Sequence, residues 1–247
     1  MKPWFENKLS RKDVRKYTKN QIKKNKLKNI TRKYSATTWI IIINVAVFIL
    51  TTILMLIFQP EEVIKLVALQ PNAFFRGGVW QIFTSMFLHI YLTHLFVNMI
   101  SLFFLGNFIE RIIGRKRFIT LYLLSGIIAG LMFVVLAYLF GSTELGARIF
   151  GSPEIFAMGA SGAIFALGGL LAVLTPNMKV YIFFVIPMKM WLAMVVLLGG
   201  FWIASIFGDL PIGNTAHFGG LIVGVAYGYY LKRKYKRKTK MIQKVFG

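Results

Sequence analysis

The hydrophobic residues of this chain are gathered into runs long enough to cross a bilayer, and its charges are gathered at the ends of those runs. That segregation constrains the fold more than any other feature. A membrane-crossing helix needs roughly 20 consecutive apolar residues, and in lipid the backbone polar groups must be satisfied within the segment. Of the 247 residues, 57% are hydrophobic and only 15% are charged, fewer than a soluble domain of this length carries over its surface. The spans of a membrane barrel would alternate polar and apolar residues over about ten positions, whereas these runs are continuous. The runs predict six helical spans at about 38–58, 82–105, 117–140, 159–174, 190–207 and 215–231, the fourth and fifth short or interrupted. The expected fold is an all-α membrane protein, a six-helix bundle over 38–231 between a basic N-terminal segment (1–37) and a basic tail (232–247). The first run is too long for the core of a cleaved signal peptide, follows a long basic lead and precedes no A-x-A-like site. It therefore reads as a retained signal anchor.

The charges orient the bundle. Lysine and arginine are dense from Lys2 to Lys33 and again at Lys232-Arg233-Lys234-Tyr235-Lys236-Arg237-Lys238. Arg111, Arg115, Lys116 and Arg117 follow the second span, and Lys179 and Lys189 follow the fourth. The remaining loops hold Glu61, Glu62, Glu144, Glu154 and Asp209, with only Lys65, Arg76 and Arg148. The positive-inside rule then puts both termini in the cytoplasm, which requires an even number of spans. The net charge of +22 is read as topology and as attraction of the basic ends to anionic lipid headgroups, worth about 1 kcal/mol per basic residue near the surface. Nucleic acid is not an expected partner, because the tails lack interleaved aromatics and no nucleic-acid module is present. The absence of cysteine excludes disulfides, thiol nucleophiles and thiolate metal sites.

Polar residues within the spans are few, and ionisable groups in lipid demand a functional reason. His94 and Asn98 are four apart and share a helix face. His89, five residues before His94, would lie about 140° away on a continuous helix and is expected to face elsewhere. Ser161 and His217 fall near the outer starts of spans four and six, which brings them into one layer with His94 and Asn98. Gly159 and Gly162 flank Ser161 and permit a tight turn and close approach of another backbone. The serine then sits at a helix N-terminus, whose free N–H groups can hold an oxyanion. Gly220, Gly224 and Gly228 form a smooth stripe for close packing, and His217 stands one turn before Gly220 on that face. Packing span six against span four would bring imidazole and alcohol together as base and nucleophile. A metal site of His89, His94 and His217 would lack carboxylate or thiolate support, so neither metal nor cofactor is expected. Asn44 is read as an interhelical hydrogen bond, Glu110 and Arg111 as an ion pair or loop clasp, His89 as a holder of the first loop, and Asp209 as a loop cap.

These residues together resemble the rhomboid family of intramembrane serine proteases. The matching pattern is His94-x-x-x-Asn98, Gly159-x-Ser161-Gly162 and Ala216-His217-x-x-Gly220-x-x-x-Gly224, in order and spacing. Gly106-x-x-x-Glu110-x-x-x-Gly114 and the stretch from Trp80 to His89 also look like family elements. The resemblance implies a Ser161–His217 dyad with no acidic third member, and an oxyanion site made by the Ser161 N–H, His94 and Asn98. It implies an aromatic under the histidine, here Phe165 where tyrosine is common, and a first loop (about 59–80) partly embedded in the membrane. Gln81 stands where the family often has arginine. A water-filled cavity, a mobile fifth helix that admits substrate, and single-span membrane proteins as substrates are further implications. The competing readings are a non-proteolytic relative that binds membrane clients and a small transporter, which would show inverted repeats or ionisable residues at several depths. Small size, no added domain and no transit-like leader suggest a bacterial plasma membrane.

Overall fold

The computed structural model describes residues 34–182, 185–208, 210 and 212–246. The basic segment before residue 34 and Asp209 lie outside the described residues, so the cap expected of Asp209 does too.

Helix α1 (Ala36–Ile57) starts at Ser35, whose hydroxyl accepts from Thr38 N in the usual manner of a serine cap. Two of its free N–H groups, on Ala36 and Thr37, donate to the Glu110 carboxylate at 2.8 and 2.9 Å, and the Thr37 hydroxyl adds a third bond at 2.9 Å. Glu110 is thus a clasp on the start of a helix more than seventy residues away, not an ion pair with Arg111. The first connection folds into short helices α2 (Pro60–Val67), α3 (Pro71–Phe75) and α4 (Gln81–Thr84), then a 3₁₀ turn (Ser85–Phe87). Helix α5 (Leu92–Ile113) ends at Gly114, whose φ of +84° turns the chain directly into α6 (Arg115–Phe140). A short α7 (Glu144–Phe150) precedes α8 (Ser161–Leu174). A hairpin of β1 (Lys179–Ile182) and β2 (Ile186–Lys189), with Lys179 opposite Lys189, leads to α9 (Met190–Gly208). Then follow α10 (Asn214–Lys234) and α11 (Lys236–Phe246).

Among the described residues four helices, α1, α5, α6 and α9, are long and apolar enough to cross a membrane. Their outward faces stay apolar, as at Leu56 (83% exposed) and Phe207 (81% exposed), which only a lipid surround makes favourable. The chain is a multi-pass membrane protein, mostly helical. Helix α8 is the hub, packed against α5, α6, α9 and α10, and 12 of its 14 residues are buried. Its closest partner is α10.

Three features depart from the sequence reading. The second long helix starts at Leu92 and not near residue 82, because Ser85–Phe87 tightens into a 3₁₀ turn and Leu88–Tyr91 is non-helical. Hydrophobicity runs straight through that break, so nothing in composition marks it. The stretch between α8 and α9 contains a two-stranded ladder where an all-helical chain was expected. Helix α10 continues past 231 to Lys234, and the tail forms α11. Asn44 donates to Ile40 O of its own helix (2.8 Å), and the same side chain meets Tyr122 of α6 across the helix interface.

Candidate active site

Ser161 is the first residue of α8, and the turn before it is built by three other segments. Gly159 has φ +113°, and a Cβ there would lie 2.8–2.9 Å from the His94 ring, so both conformation and space require glycine. Gly159 N–H donates to Ser85 O at 2.8 Å, and Ala160 N–H reaches His89 Nε2 at 3.5 Å. His89 is wholly buried, with Nδ1 3.4 Å from Phe87 O. It therefore supports the lead-in to Ser161 more directly than the first loop. Its ring lies 4.9 Å from that of His94. The expected divergence of the two histidines fails because they do not share a helix: His94 is in the first turn of α5 and His89 is in the segment before it.

His217, in the first turn of α10, is buried and places Nε2 2.8 Å from Ser161 Oγ. The contact exists because α10 touches α8 backbone to backbone. A Cβ at Gly220 would run into the Gly162 carbonyl oxygen, and one at Gly224 into that of Ala166. The imidazole is held flat on Phe165, one turn after Ser161, with centroids 4.5 Å apart and planes 15° apart. Phe201 of α9 closes a second side, 5.6 Å from His217 and 6.1 Å from Phe165. Sequence reasoning missed Phe201, one aromatic among the apolar residues of its helix. His217 Nδ1 has no hydrogen-bond partner among the described residues. Asn98 is buried in α5, but its amide nitrogen bonds back to His94 O at 2.9 Å, so one of its two N–H groups is already engaged. Among the described residues no group of three or more His, Asp or Glu side chains is arranged to hold a metal ion.

The rim is stitched by side-chain amides. Gln81, 2% exposed, accepts from Gln70 N (3.2 Å) and donates to Lys65 O (2.7 Å), and so ties the first connection at both ends. Trp80 Nε1 donates to Leu66 O (2.8 Å) and Thr84 Oγ1 to Val67 O (2.7 Å). Across the rim, Gln70 and Asn72 donate to the backbone and carboxylate of Glu154, and Leu69 pairs with Ala157. The Ser152 hydroxyl on Glu154, with help from Asn72, holds that carboxyl below the usual carboxylate range, so the clasp is charged at neutral pH.

The stretch that holds Ser161 and His217 lies within the match to a family model. The model, described as the Rhomboid domain, fits residues 76–234. The chain belongs to the rhomboid family. It is similar to the RHOMBOID-like protein 12, mitochondrial, of Arabidopsis thaliana, at 28% identity over 80% of this chain and 59% of that protein. It is similar to the Rhomboid protease GluP of Bacillus subtilis, at 32% identity over 66% of this chain and 28% of GluP. It is also similar to the Inactive RHOMBOID-like protein 8 of Arabidopsis thaliana, at 32% identity over 58% of this chain and 36% of that protein. The matched stretch thus spans less than two thirds of each of these rhomboid relatives.

Proposed function

We propose that this rhomboid is an intramembrane serine endopeptidase that cleaves single-span membrane proteins. The observation that carries the reading is the 2.8 Å contact between His217 Nε2 and Ser161 Oγ, on an imidazole pinned by Phe165. Neutral His217 takes the Ser161 proton as Oγ attacks the scissile carbonyl, then returns it to the leaving amine, and water cleaves the acyl-enzyme. The oxyanion is stabilised by the Ser161 N–H, His94 and the free N–H of Asn98, and each such donor is worth about 2.7–4 kcal/mol of barrier. Gly159, Gly162, Gly220 and Gly224 keep the two helices close enough for the proton transfer. Substrate helices must unwind locally, since a helical carbonyl is already hydrogen-bonded.

The reading includes six membrane-crossing helices, α1, α5, α6, α8, α9 and α10, over 38–231, with basic cytoplasmic ends at 1–37 and 232–247 drawn to anionic headgroups. The starts of α5, α8 and α10 meet at one end of the bundle, which supports an extracytoplasmic site under the positive-inside rule. The reading takes a bacterial plasma membrane as the compartment; similar proteins occur in Bacillus subtilis and, with a mitochondrial name, in Arabidopsis thaliana. A second reading, a rhomboid that binds membrane clients without cutting them, is favoured by the similarity to a relative named inactive.

Labelling of the detergent-purified protein with a fluorophosphonate separates the two. The wild type is expected to label, and Ser161→Ala and His217→Ala to lose the label. No labelling of the wild type would support the client-binding reading, and labelling that survives Ser161→Ala would remove Ser161 as nucleophile.

A further inference from the structure

The end of the bundle opposite the dyad gathers Arg117, Lys234 and Lys238, which no described acidic side chain neutralises. Helix α10 runs from the dyad to Lys234, and Tyr235 joins it to α11. Three cations from three segments surround the Tyr235 ring: Arg117 at 5.3 Å, Lys234 at 5.8 Å and Lys238 at 6.0 Å from its centroid. Arg117 also donates to the Tyr235 hydroxyl (2.9 Å), and Lys234 to that of Tyr230 (2.7 Å). The described ion pairs are Lys65–Glu61 and Arg148–Glu144, both in other connections, and Glu110 is committed to the start of α1. One aromatic ring is a weak counterweight to three mutually repelling charges. The first turns of α6 and α11 carry cations and no acid, against the sense of the helix dipole. An anion among these groups resolves all of this repulsion at once.

The surroundings say which anion. A shallow groove lined by Ala226, Tyr229, Tyr230, Arg233 and Lys234 rises from the cluster along the outer face of α10. Tyr229 and Tyr230 are half exposed, as in the aromatic belts at a membrane interface, and Ala226 leaves room at hydrocarbon depth. Beyond the elbow, α11 exposes Met241 and Val245 amid its lysines, the pattern of a helix lying on a leaflet. A soluble phosphate would use the cations and leave the groove unexplained, whereas a lipid uses both.

We propose that the α10–α11 elbow is a discrete site for an anionic phospholipid, its phosphate gripped by Arg117, Lys234 and Lys238 around Tyr235 and an acyl chain lying over Ala226. The proposal sharpens the diffuse attraction of the basic ends into one stoichiometric site, and it stands apart from the proteolytic reading. Native mass spectrometry of the full chain, titrated with phosphatidylglycerol or phosphatidylcholine, tests it. The wild type is expected to retain one phosphatidylglycerol in preference to phosphatidylcholine. Arg117→Gln with Lys234→Gln should weaken that retention about tenfold or more, and Lys240→Gln with Lys244→Gln, an equal loss of charge, by less than about twofold. Tyr235→Phe, which keeps every charge and ring, should weaken it about threefold through the loss of the Arg117 anchor. Equal losses in the two double variants would reduce the effect to diffuse attraction and overturn the site. Equal retention of phosphatidylcholine, no effect of Tyr235→Phe, or displacement of the lipid by inorganic phosphate would overturn it as well. Fluorophosphonate labelling of the same variants is expected to match the wild type, so failure of the lipid site and failure of the protease reading give different results.

Discussion

Helices α8 and α9 are both apolar, both hold two adjacent glycines, and both place an aromatic on His217, yet they occupy opposite mechanical positions. In α8, 12 of 14 residues are buried. In α9, five of 19 are buried: Met190, Ala193, Met194, Leu198 and Ser205. A Cβ at Gly168 would meet Met194, and one at Gly169 would meet Leu221 of α10. At Gly199 and Gly200 a Cβ would meet nothing within 4 Å. Helix α8 is therefore the fixed member that carries Ser161, whereas α9 is a peripheral one held at few points. The difference lies in the neighbours and not in the composition. The nucleophilic role proposed for Ser161 would gain from such a fixed mount, because its hydrogen-bond geometry tolerates little drift.

The largest test of that contrast replaces glycine on each side of it. Gly220→Ala drives a methyl into the Gly162 carbonyl and is expected to cost about 1–3 kcal/mol in unfolding by SDS or heat. Gly220→Leu should abolish both folding and fluorophosphonate labelling. Gly199→Ala should be neutral or stabilising by less than about 1 kcal/mol, since it adds helix propensity in open space. If Gly199→Ala were as harmful as Gly220→Ala, α9 would be as tightly built in as α8 and the contrast would fail.

The glycines also show what the sequence made legible. The Gly220-Gly224-Gly228 period and the glycines around Ser161 were enough to pair α8 with α10 and to bring His217 onto Ser161, because close helix approach in lipid depends on small residues at a fixed period. Local hydrophobicity carried the helices, apart from the start of α5. There Ile82 to Leu88 reads as membrane, but the chain turns so that Ser85 O accepts from Gly159 N–H, a bond across more than seventy residues. Glu110 was legible as a clasp, but its partners, two backbone N–H groups on α1, carry no side-chain signature. Phe201 was illegible for the same reason that Gly199 and Gly200 were ambiguous: burial depends on which neighbour arrives, and a continuous apolar run does not say.

A middle-sized effect separates the two aromatics on His217. Phe165 stacks flat on the ring from the fixed helix, while Phe201 meets it at 48° from the peripheral one. Aromatic pairs are worth about 0.5–1.5 kcal/mol beyond burial, so Phe165→Leu is expected to lower kcat/KM about three- to tenfold. Phe201→Leu should cost about twofold or less, and any loss should fall on kcat/KM with no change in labelling stoichiometry. The reverse order would mean that α9, and not α8, sets the imidazole.

The smallest effect concerns how α9 is held. Trp202 Nε1 donates to Ile149 O (2.9 Å) and Ser205 Oγ to Arg148 O (3.1 Å), while Arg148 Nη1 donates to Ile206 O (3.1 Å). Together these fasten the end of α9 to α7. Trp202→Phe removes one of these bonds and keeps a ring against Phe218. A single hydrogen bond is worth about 0.5–1.5 kcal/mol net, so amide exchange in α9 should accelerate about two- to tenfold. Exchange in α8 should not change, because the lost bond touches none of its contacts. Equal acceleration in both helices would show that they open as one unit, and the fixed and peripheral positions assigned here would then merge.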